Sequence, residues 1–378
     1  MLYINIRGYK IIVRKNKSHL GVHLTHDSSV CQVTNGQIDW FAEEERFSKV
    51  KHDSFPSLAL LNMDLRSVDS KVQISGLYEP HDKDKFVNDA DSFSLQVAKK
   101  YTSEIAAGLV YKNVIEYESY LGHHLFHAAC GFYNSGFPRA AVLVVDGMGN
   151  PLEDKDNIQE VESIYTCGYP TIFKRHSTNV TPTFLEADKM PLSFGIGMIY
   201  QAMSNYFGFG DFGSGKLMGL SSYGKEDPNI KSFLHDDGTP VTDLFYRSRF
   251  GLTFIPYDYV RYPKDIDEFI NIDSKDMRQR FANLAYRVQK DFETYMTALI
   301  LKTLDVTGEK NLVLTGGCAL NCVANYEYLK HLPEGVKLYV EPISTDAGTS
   351  IGLAKIDYYH ASKSTSRHPL KTLYLGKE

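Results

Sequence analysis

Two histidines four residues apart, His123 and His127 in the run HHLFHAA, are placed to do metal chemistry. On a helix that spacing puts both imidazoles on one face, where they can grip one divalent cation. The zincin pattern H-E-x-x-H uses the same pair, but its glutamate base is missing here, which weighs against a peptidase. Spacing alone fits ordinary helical histidines beside a core turn equally well; His124 points elsewhere. Asp346, in Asp346-Ala347-Gly348-Thr349, follows a strand and opens a helix. An acid there can simply cap the helix. As a third ligand it would complete a two-histidine, one-carboxylate set with open positions.

Two glycine-bearing turns suit phosphate or nucleotide. In VLVVDGMG a buried strand ends in Asp146, Gly147 and Gly149, so backbone amides can approach a phosphate while the carboxylate faces a metal or a water. A plain Asp-Gly turn is the alternative. In NLVLTGGCALN a strand runs through Gly316 and Gly317 to a helix start near Asn321, where free amides can meet an anion. Alone, that motif is weak, and Cys318 and Cys322 beside it read as small packing residues. At the turn His26-Asp27-Ser28-Ser29, hydroxyls and amides can cradle phosphate, and His26 can move a proton near neutral pH. A polar β-turn explains the same letters. The charged runs EEERF and KVKH that follow also suit a solvated face.

The chain's 378 residues carry 41 Lys and Arg against 46 Asp and Glu, a formal net charge of −5. That balance offers no global attraction to a polyanion, although a local basic groove stays open. Five cysteines without a repeated C-x-x-C pair argue against a zinc knuckle or disulfide framework and suit a reducing cytoplasm. The first residues, MLYINIRGYKIIVRKNK, never reach a signal peptide's apolar run, and no stretch approaches a membrane span of ~20 apolar residues. A soluble, unsecreted protein without membrane attachment is expected.

The elements that must position these residues come in two similar sets. From Leu20 to Glu44 the pattern is strand, turn, strand, an Asn35-Gly36 hairpin turn, strand; from Ala140 to His176 it returns, with a turn at Tyr169-Pro170. Single strands follow each meander: VQISGL and NVIEYE in the first half, NLVLTGG and VKLYVEP in the second. This grammar predicts a duplicated α/β fold with a mixed sheet in each lobe. A long amphipathic helix is expected over 274–304, capped by Ser274 and followed by Gly308. The stretch 227–273 reads as an insertion shaping a surface or a substrate wall, and 361–369 as a linker. The run Ile11-Ile12-Val13 suggests an extra edge strand or a docking element.

Taken together and in order, these blocks resemble the O-carbamoyltransferases of nodulation-factor and antibiotic biosynthesis. The matching text is HDSSVCQVTNGQIDWFAEEERFSKVKHDSFP, HHLFHAACGFYNSGFPRAAVLVVDGMGN, MPLSFGIGMIYQAMSNYFGFGDFGSGKLMGLSSYGK, NLVLTGGCALNCVAN and EPISTDAGTSIGLA, spread over residues 26–354. That family is similar to the tRNA threonylcarbamoyl transferases and, more remotely, to the actin, heat-shock chaperone and sugar-kinase superfamily, with duplicated lobes that close on a nucleotide.

The resemblance implies a two-lobed actin/sugar-kinase-like (ASKHA) α/β fold, with residues 1–137 and 138–378 as the lobes of one carbamoyl-transfer domain. It makes His123, His127 and Asp346 ligands of Fe(II) or another divalent metal. It sets the adenine nucleotide against Gly316, Gly317 and Asn321, puts Asp146, Gly147 and Gly149 near the phosphate, and draws Gly215, Lys216, Gly219 and Gly224 into the cleft. ATP and carbamoyl phosphate would form a carbamoyl adenylate, and the carbamoyl group would pass to a hydroxyl of a sugar, nucleoside or antibiotic. His26 or Asp27 would accept the hydroxyl proton, with Arg46, Lys51 and His52 holding anionic oxygens. The YrdC-like adenylate-forming domain that usually follows is expected to be absent from this chain: either the chain is cut short or the first half-reaction happens on another polypeptide. The partners considered are a separate adenylate-forming domain or protein and a second copy of the chain. The competing readings are an ATP-dependent phosphotransferase or ATPase of the same superfold and a non-catalytic, actin-like assembly protein.

Overall fold

The computed structural model describes residues 2–6, 9–13, 18–24, 26–54, 56–62, 72–75, 122–149, 151–152, 155–182, 194–242, 245–248, 251–254 and 275–376. Its strands are β1 (Leu2–Ile6), β2 (Tyr9–Val13), β3 (Ser18–His23), β4 (Ser29–Thr34), β5 (Gln37–Glu43), β6 (Val72–Ser75), β7 (Arg139–Val145), β8 (Pro151–Leu152), β9 (Lys155–Gly168), β10 (Ile172–Pro182), β11 (Phe245–Ser248), β12 (Gly251–Phe254), β13 (Asn311–Thr315) and β14 (Lys337–Val340). The α-helices are α1 (Glu45–Ser48), α2 (Ser57–Leu61), α3 (His123–Ser135), α4 (Ile196–Tyr206), α5 (Ser214–Ser221), α6 (Lys275–Thr307), α7 (Cys322–Tyr328) and α8 (Gly348–Ser362).

The chain divides into two compact units. Unit 1 holds Met1–Pro138, Tyr169–Ile172 and Thr345–Glu378; unit 2 holds Arg139–Gly168 and Phe173–Ser344. The sequence places one boundary at 137/138 and assigns everything after it to the second lobe. The structure instead returns Thr345–Glu378 to unit 1, because α8 packs on α3, β3 and β4.

Each unit carries one mixed sheet. In unit 1 the order is β5-β4-β3-β6, and in unit 2 it is β10-β9-β7-β13-β14. In both, the first strand of the meander lies inside, pairs antiparallel with the second, and meets a later parallel strand on its other edge. This is the duplicated α/β architecture expected from the paired meanders. Burial follows position. β3, an inner strand, is buried along its whole length, whereas edge strand β5 alternates and buries Trp40 and Ala42. The β4–β5 turn has φ of 53° at Asn35 and 83° at Gly36, the two left-handed residues that a tight hairpin needs.

Several expectations land differently. The Ile11-Ile12-Val13 run pairs with β1 as a separate two-stranded ribbon rather than edging either sheet. The 361–369 stretch is anchored rather than linker-like: the Tyr359 hydroxyl donates to the Ser366 carbonyl, buried Lys355 donates to the Asn134 side chain and to the His368 carbonyl, and Leu370 N–H bonds Asn134 O. Helix α6 continues to Thr307, three residues beyond expectation, with Gly308 after it at φ 66°; Ser274, NVIEYE and about half of 227–273 lie outside the described residues. Among the described residues no helix is long and apolar enough to cross a membrane.

Helix α8 is held by backbone approach. A Cβ on Gly352 would sit 2.0 Å from the Phe126 carbonyl oxygen of α3, and one on Gly21 of β3 would sit 2.0 Å from the Ser350 carbonyl oxygen. Neither contact can be relieved by turning a side chain. Gly352→Ala is therefore expected to lower stability by about 3 kcal/mol or more, at or beyond the usual cost of overpacking. Gly219→Ala, whose added methyl meets open space on helix α5, should be neutral or stabilising by up to ~1 kcal/mol. Urea unfolding of both variants reads the contrast, and equal midpoints would refute it.

Candidate metal centre and glycine turns

Helix α3 opens at His123, directly after Gly122, and the four-residue spacing sets His123 Nε2 3.1 Å from His127 Nε2. Asp346 Oδ1 lies 3.5 Å from each of these nitrogens. His123 is 4% exposed and His127 fully buried, so both imidazoles face Asp346 from the interior. Asp346 comes from the residues just before α8. Thr349 N–H bonds the Asp346 carbonyl rather than its carboxylate, so the side chain is turned towards the histidines instead of capping the helix.

Three donors with these separations fit a cation. A triangle of sides 3.1, 3.5 and 3.5 Å has its centre roughly 2 Å from each corner, the length of a metal–imidazole bond. Two imidazoles and one carboxylate with remaining positions open is the donor set of mononuclear iron(II) sites. The second carboxylate oxygen faces outward, with Oδ2 3.5 Å from His26 Nε2 and 3.7 Å from His23 Nε2. His23, which sequence reasoning passed over as part of a strand, is fully buried behind the centre. Its Nδ1 lies 3.0 Å from the Thr349 hydroxyl and its Nε2 3.2 Å from the His26 carbonyl. Burial pulls the His23 pKa down to about 4 against the pull of Asp346, so it stays neutral at physiological pH.

His26 and Asp27 sit at the rim. The His26 side chain is 44% exposed, and its Nδ1 is 3.4 Å from Asp27 Oδ2. Asp27 Oδ1 accepts a 2.6 Å hydrogen bond from His52 Nδ1. Hydrogen bonds from His26 and His52 hold the Asp27 carboxyl below its usual pKa despite the opposing effect of burial. Asp27 and His52 are both non-glycine residues at positive φ, 60° and 56°, a conformation that costs free energy and collects at functional sites. Glu45 completes a second group of donors with Asp27 and His52, but the short His52–Asp27 hydrogen bond occupies the space an ion would need. Arg46 is 69% exposed and pairs with Glu43 and Glu45; Lys51 is exposed.

The glycine turns belong to unit 2. Asp146, 9% exposed at the end of β7, accepts from Gly147 N–H at 2.8 Å and from Gly317 N–H at 3.3 Å, so one carboxylate oxygen ties the two turns together. Gly149 N–H is spent on the Glu160 carbonyl. Gly316 has φ of 87°, and a Cβ there would lie 2.4 Å from Val145 O, so only glycine fits between β13 and β7. Asn321 is 8% exposed, and its side chain turns inward to the Gln289 amide and to Ala324 N–H rather than towards a ligand. Gly215, Lys216 and Gly219 lie on the exposed side of α5, whereas Gly224 is a packing glycine whose Cβ would collide with Ala282 O at 2.0 Å. Cys318 packs beside Gly197; Cys322 is exposed rather than buried packing.

Residues 18–355 match the family model described as carbamoyltransferase N-terminus. The chain belongs to the carbamoyltransferase family. It is 25% identical over 405 residues to nodulation protein NolNO of Sinorhizobium fredii, an alignment covering all of this chain and 53% of that protein. With the uncharacterised protein sll1178 of Synechocystis it shares 27% identity over 368 residues, 87% of this chain and 55% of that one. This carbamoyltransferase-family chain thus spans about half the length of the curated relatives it matches. The solved structure of HypF from T. kodakarensis superposes with a TM-score of 0.48 at 12% identity, over 92% of this chain and 48% of that one.

The centre predicts a titratable metal site. Co(II) should bind at one equivalent with visible d–d absorption, and removing His123, His127 or Asp346 by alanine substitution should weaken it by more than about 100-fold, since even supporting residues of such sites are worth 10–100-fold. Undiminished Co(II) absorption in a His123→Ala, His127→Ala double variant would refute the site.

Proposed function

We propose that this chain is the carbamoyl-transfer part of an O-carbamoyltransferase, moving the carbamoyl group of carbamoyl adenylate to a hydroxyl on a small acceptor such as a sugar, nucleoside or antibiotic. The observation that carries this reading is the convergence of His123, His127 and Asp346 within 3.5 Å, beside the His26–Asp27 turn, in a member of the carbamoyltransferase family.

The chemistry asks for three things. The acceptor oxygen must lose its proton as it attacks the carbamoyl carbon, the bond from that carbon to the phosphate oxygen must break, and the negative charge on oxygen must be stabilised. His26 is suited to take the proton: it is accessible, lies beside Asp27, and has Asp346 on its other nitrogen. Asp27, held by His52, orients that ring and stabilises the imidazolium that forms. A divalent metal held by His123, His127 and Asp346, Fe(II) in our reading, would supply Lewis acidity towards carbamoyl or phosphate oxygen. His23, neutral and buried, lies 3.7 Å behind the outer oxygen of Asp346 without adding charge.

In unit 2 the Gly316-Gly317 turn, tied to Asp146, would meet the adenine nucleotide through backbone groups that no side chain blocks. AMP is the leaving group. The adenylate itself would come from ATP and carbamoyl phosphate on a separate adenylate-forming domain or protein, in the cytoplasm where both are available.

Ready-made carbamoyl adenylate supplied with a panel of nucleosides, aminoglycosides and oligosaccharides should yield AMP and a carbamoylated product by mass spectrometry. His26→Ala should slow the transfer 10²- to 10⁴-fold, the usual worth of a positioned proton acceptor. Adenylate that is never consumed with any hydroxyl acceptor would defeat the proposal, and ATP turnover with a sugar and no carbamoyl phosphate would replace it with a phosphotransferase.

A further inference from the structure

Behind the Gly316-Gly317 turn lies a buried polar junction that the proposed chemistry does not use. Gln289, on α6 and 2% exposed, faces Asn321 amide to amide. Its Nε2 donates to Asn321 Oδ1 at 3.1 Å, and Asn321 Nδ2 donates back to Gln289 Oε1 at 2.9 Å. The surroundings fix both orientations. Tyr200 of α4 donates its hydroxyl to Gln289 Oε1 at 2.8 Å, Gln289 Nε2 also donates to Glu293 Oε1 at 3.0 Å, and Asn321 Oδ1 caps α7 by accepting from Ala324 N–H at 3.1 Å. Flipping either amide would set donor against donor.

We infer that Gln289 is a positioning residue for nucleotide binding, acting through Asn321 to hold the backbone of the Gly317–Leu320 turn in the shape that receives the adenine nucleotide. The inference rests on the nucleotide reading of that turn. The turn is pinned at both ends. Gly317 N–H is held by Asp146 Oδ1 at its start, and Asn321 closes it by donating its N–H to Cys318 O at 3.2 Å. Between those pins Gly317 and Leu320 are exposed and Cys318 is half-buried, so backbone near the surface rests on a buried amide pair. A satisfied buried polar network rigidifies what it touches, and removing one member leaves its partners' donors and acceptors unmet. A 33-residue helix is a firm anchor for such a bolt. Asn321 thus contributes by aiming its neighbours, and Gln289, 32 positions earlier, is as necessary as Asn321 itself.

Titrating AMP into the full chain by calorimetry, with Co(II) binding at the unit 1 centre measured in parallel, tests this. Gln289→Leu and Asn321→Leu should each raise the Kd for AMP at least about tenfold, roughly the worth of one or two buried hydrogen bonds. The double variant should bind little worse than either alone, because both remove the same device. Asn321→Ser keeps a hydroxyl to cap α7 while breaking the amide pair, and should lose as much as Asn321→Leu; it carries the test if Gln289→Leu does not fold. Co(II) affinity should hold in all of them. An AMP affinity within twofold of the parent in Gln289→Leu, strictly additive losses, or Co(II) binding that falls in step with AMP binding would overturn the positioning role. A parent chain that binds Co(II) but no AMP would overturn the nucleotide reading and this inference with it.

Discussion

The candidate centre depends on two helices touching without side chains between them. Where α8 crosses α3, Gly352 lies against the Phe126 carbonyl, and two residues earlier in α8 the Ser350 carbonyl lies against Gly21 of β3. That sandwich sets the distance between the residues just before α8, which deliver Asp346, and the first two turns of α3, which deliver His123 and His127. Dispersion and backbone geometry thereby determine the spacing of these three side chains, because close-packed interiors do not deform continuously. The two serines beside this contact add to it: Ser29 Oγ on β4 bonds the Ala347 carbonyl and Ser350 Oγ.

Electrostatics then distinguishes the two sides of Asp346. One oxygen faces two buried imidazoles, the other faces a buried neutral imidazole and an accessible one. Four histidines around one carboxylate cannot all carry charge in so dry a place, and burial keeps His23 neutral. This leaves His26, the exposed member, as the one with ready access to solvent protons. In unit 2 Asp146 satisfies amides from two separate turns with one oxygen.

Local features of the sequence were readable because each has a short-range cause. Asn35-Gly36 announces a hairpin through its left-handed dihedral angles, the 3.6-residue period marks α6, and the i, i+4 spacing of His123 and His127 requires only that the segment be helical. The glycine pair at Gly316 and Gly317 also announced a turn. What stayed hidden is non-local. Nothing near Asp346 says that α8 leaves the second half of the chain and packs on the first, and the strand that carries His23 gives no hint of the carboxylate it will face. The family resemblance sets Asn321 against the nucleotide but says nothing of its partner Gln289, a polar residue in the middle of a helix marked by its apolar stripe. Gly224 shared a run with Gly215 and Gly219, but only α6 lying against it explains why it is a glycine.

The order of segments along the polypeptide has a consequence for biosynthesis. Unit 2 is inserted within unit 1, so roughly 200 residues separate Pro138 from Thr345. At about 5–20 residues per second, a ribosome would present β3, β4 and α3 on the order of 10–40 s before α8 emerged to cover them. During that interval the surfaces that later hold α8, including the strip around Gly21 and Phe126, face solvent or a chaperone. Unit 2, continuous apart from a four-residue excursion, can condense first and leave its host to be completed by the returning strand of chain.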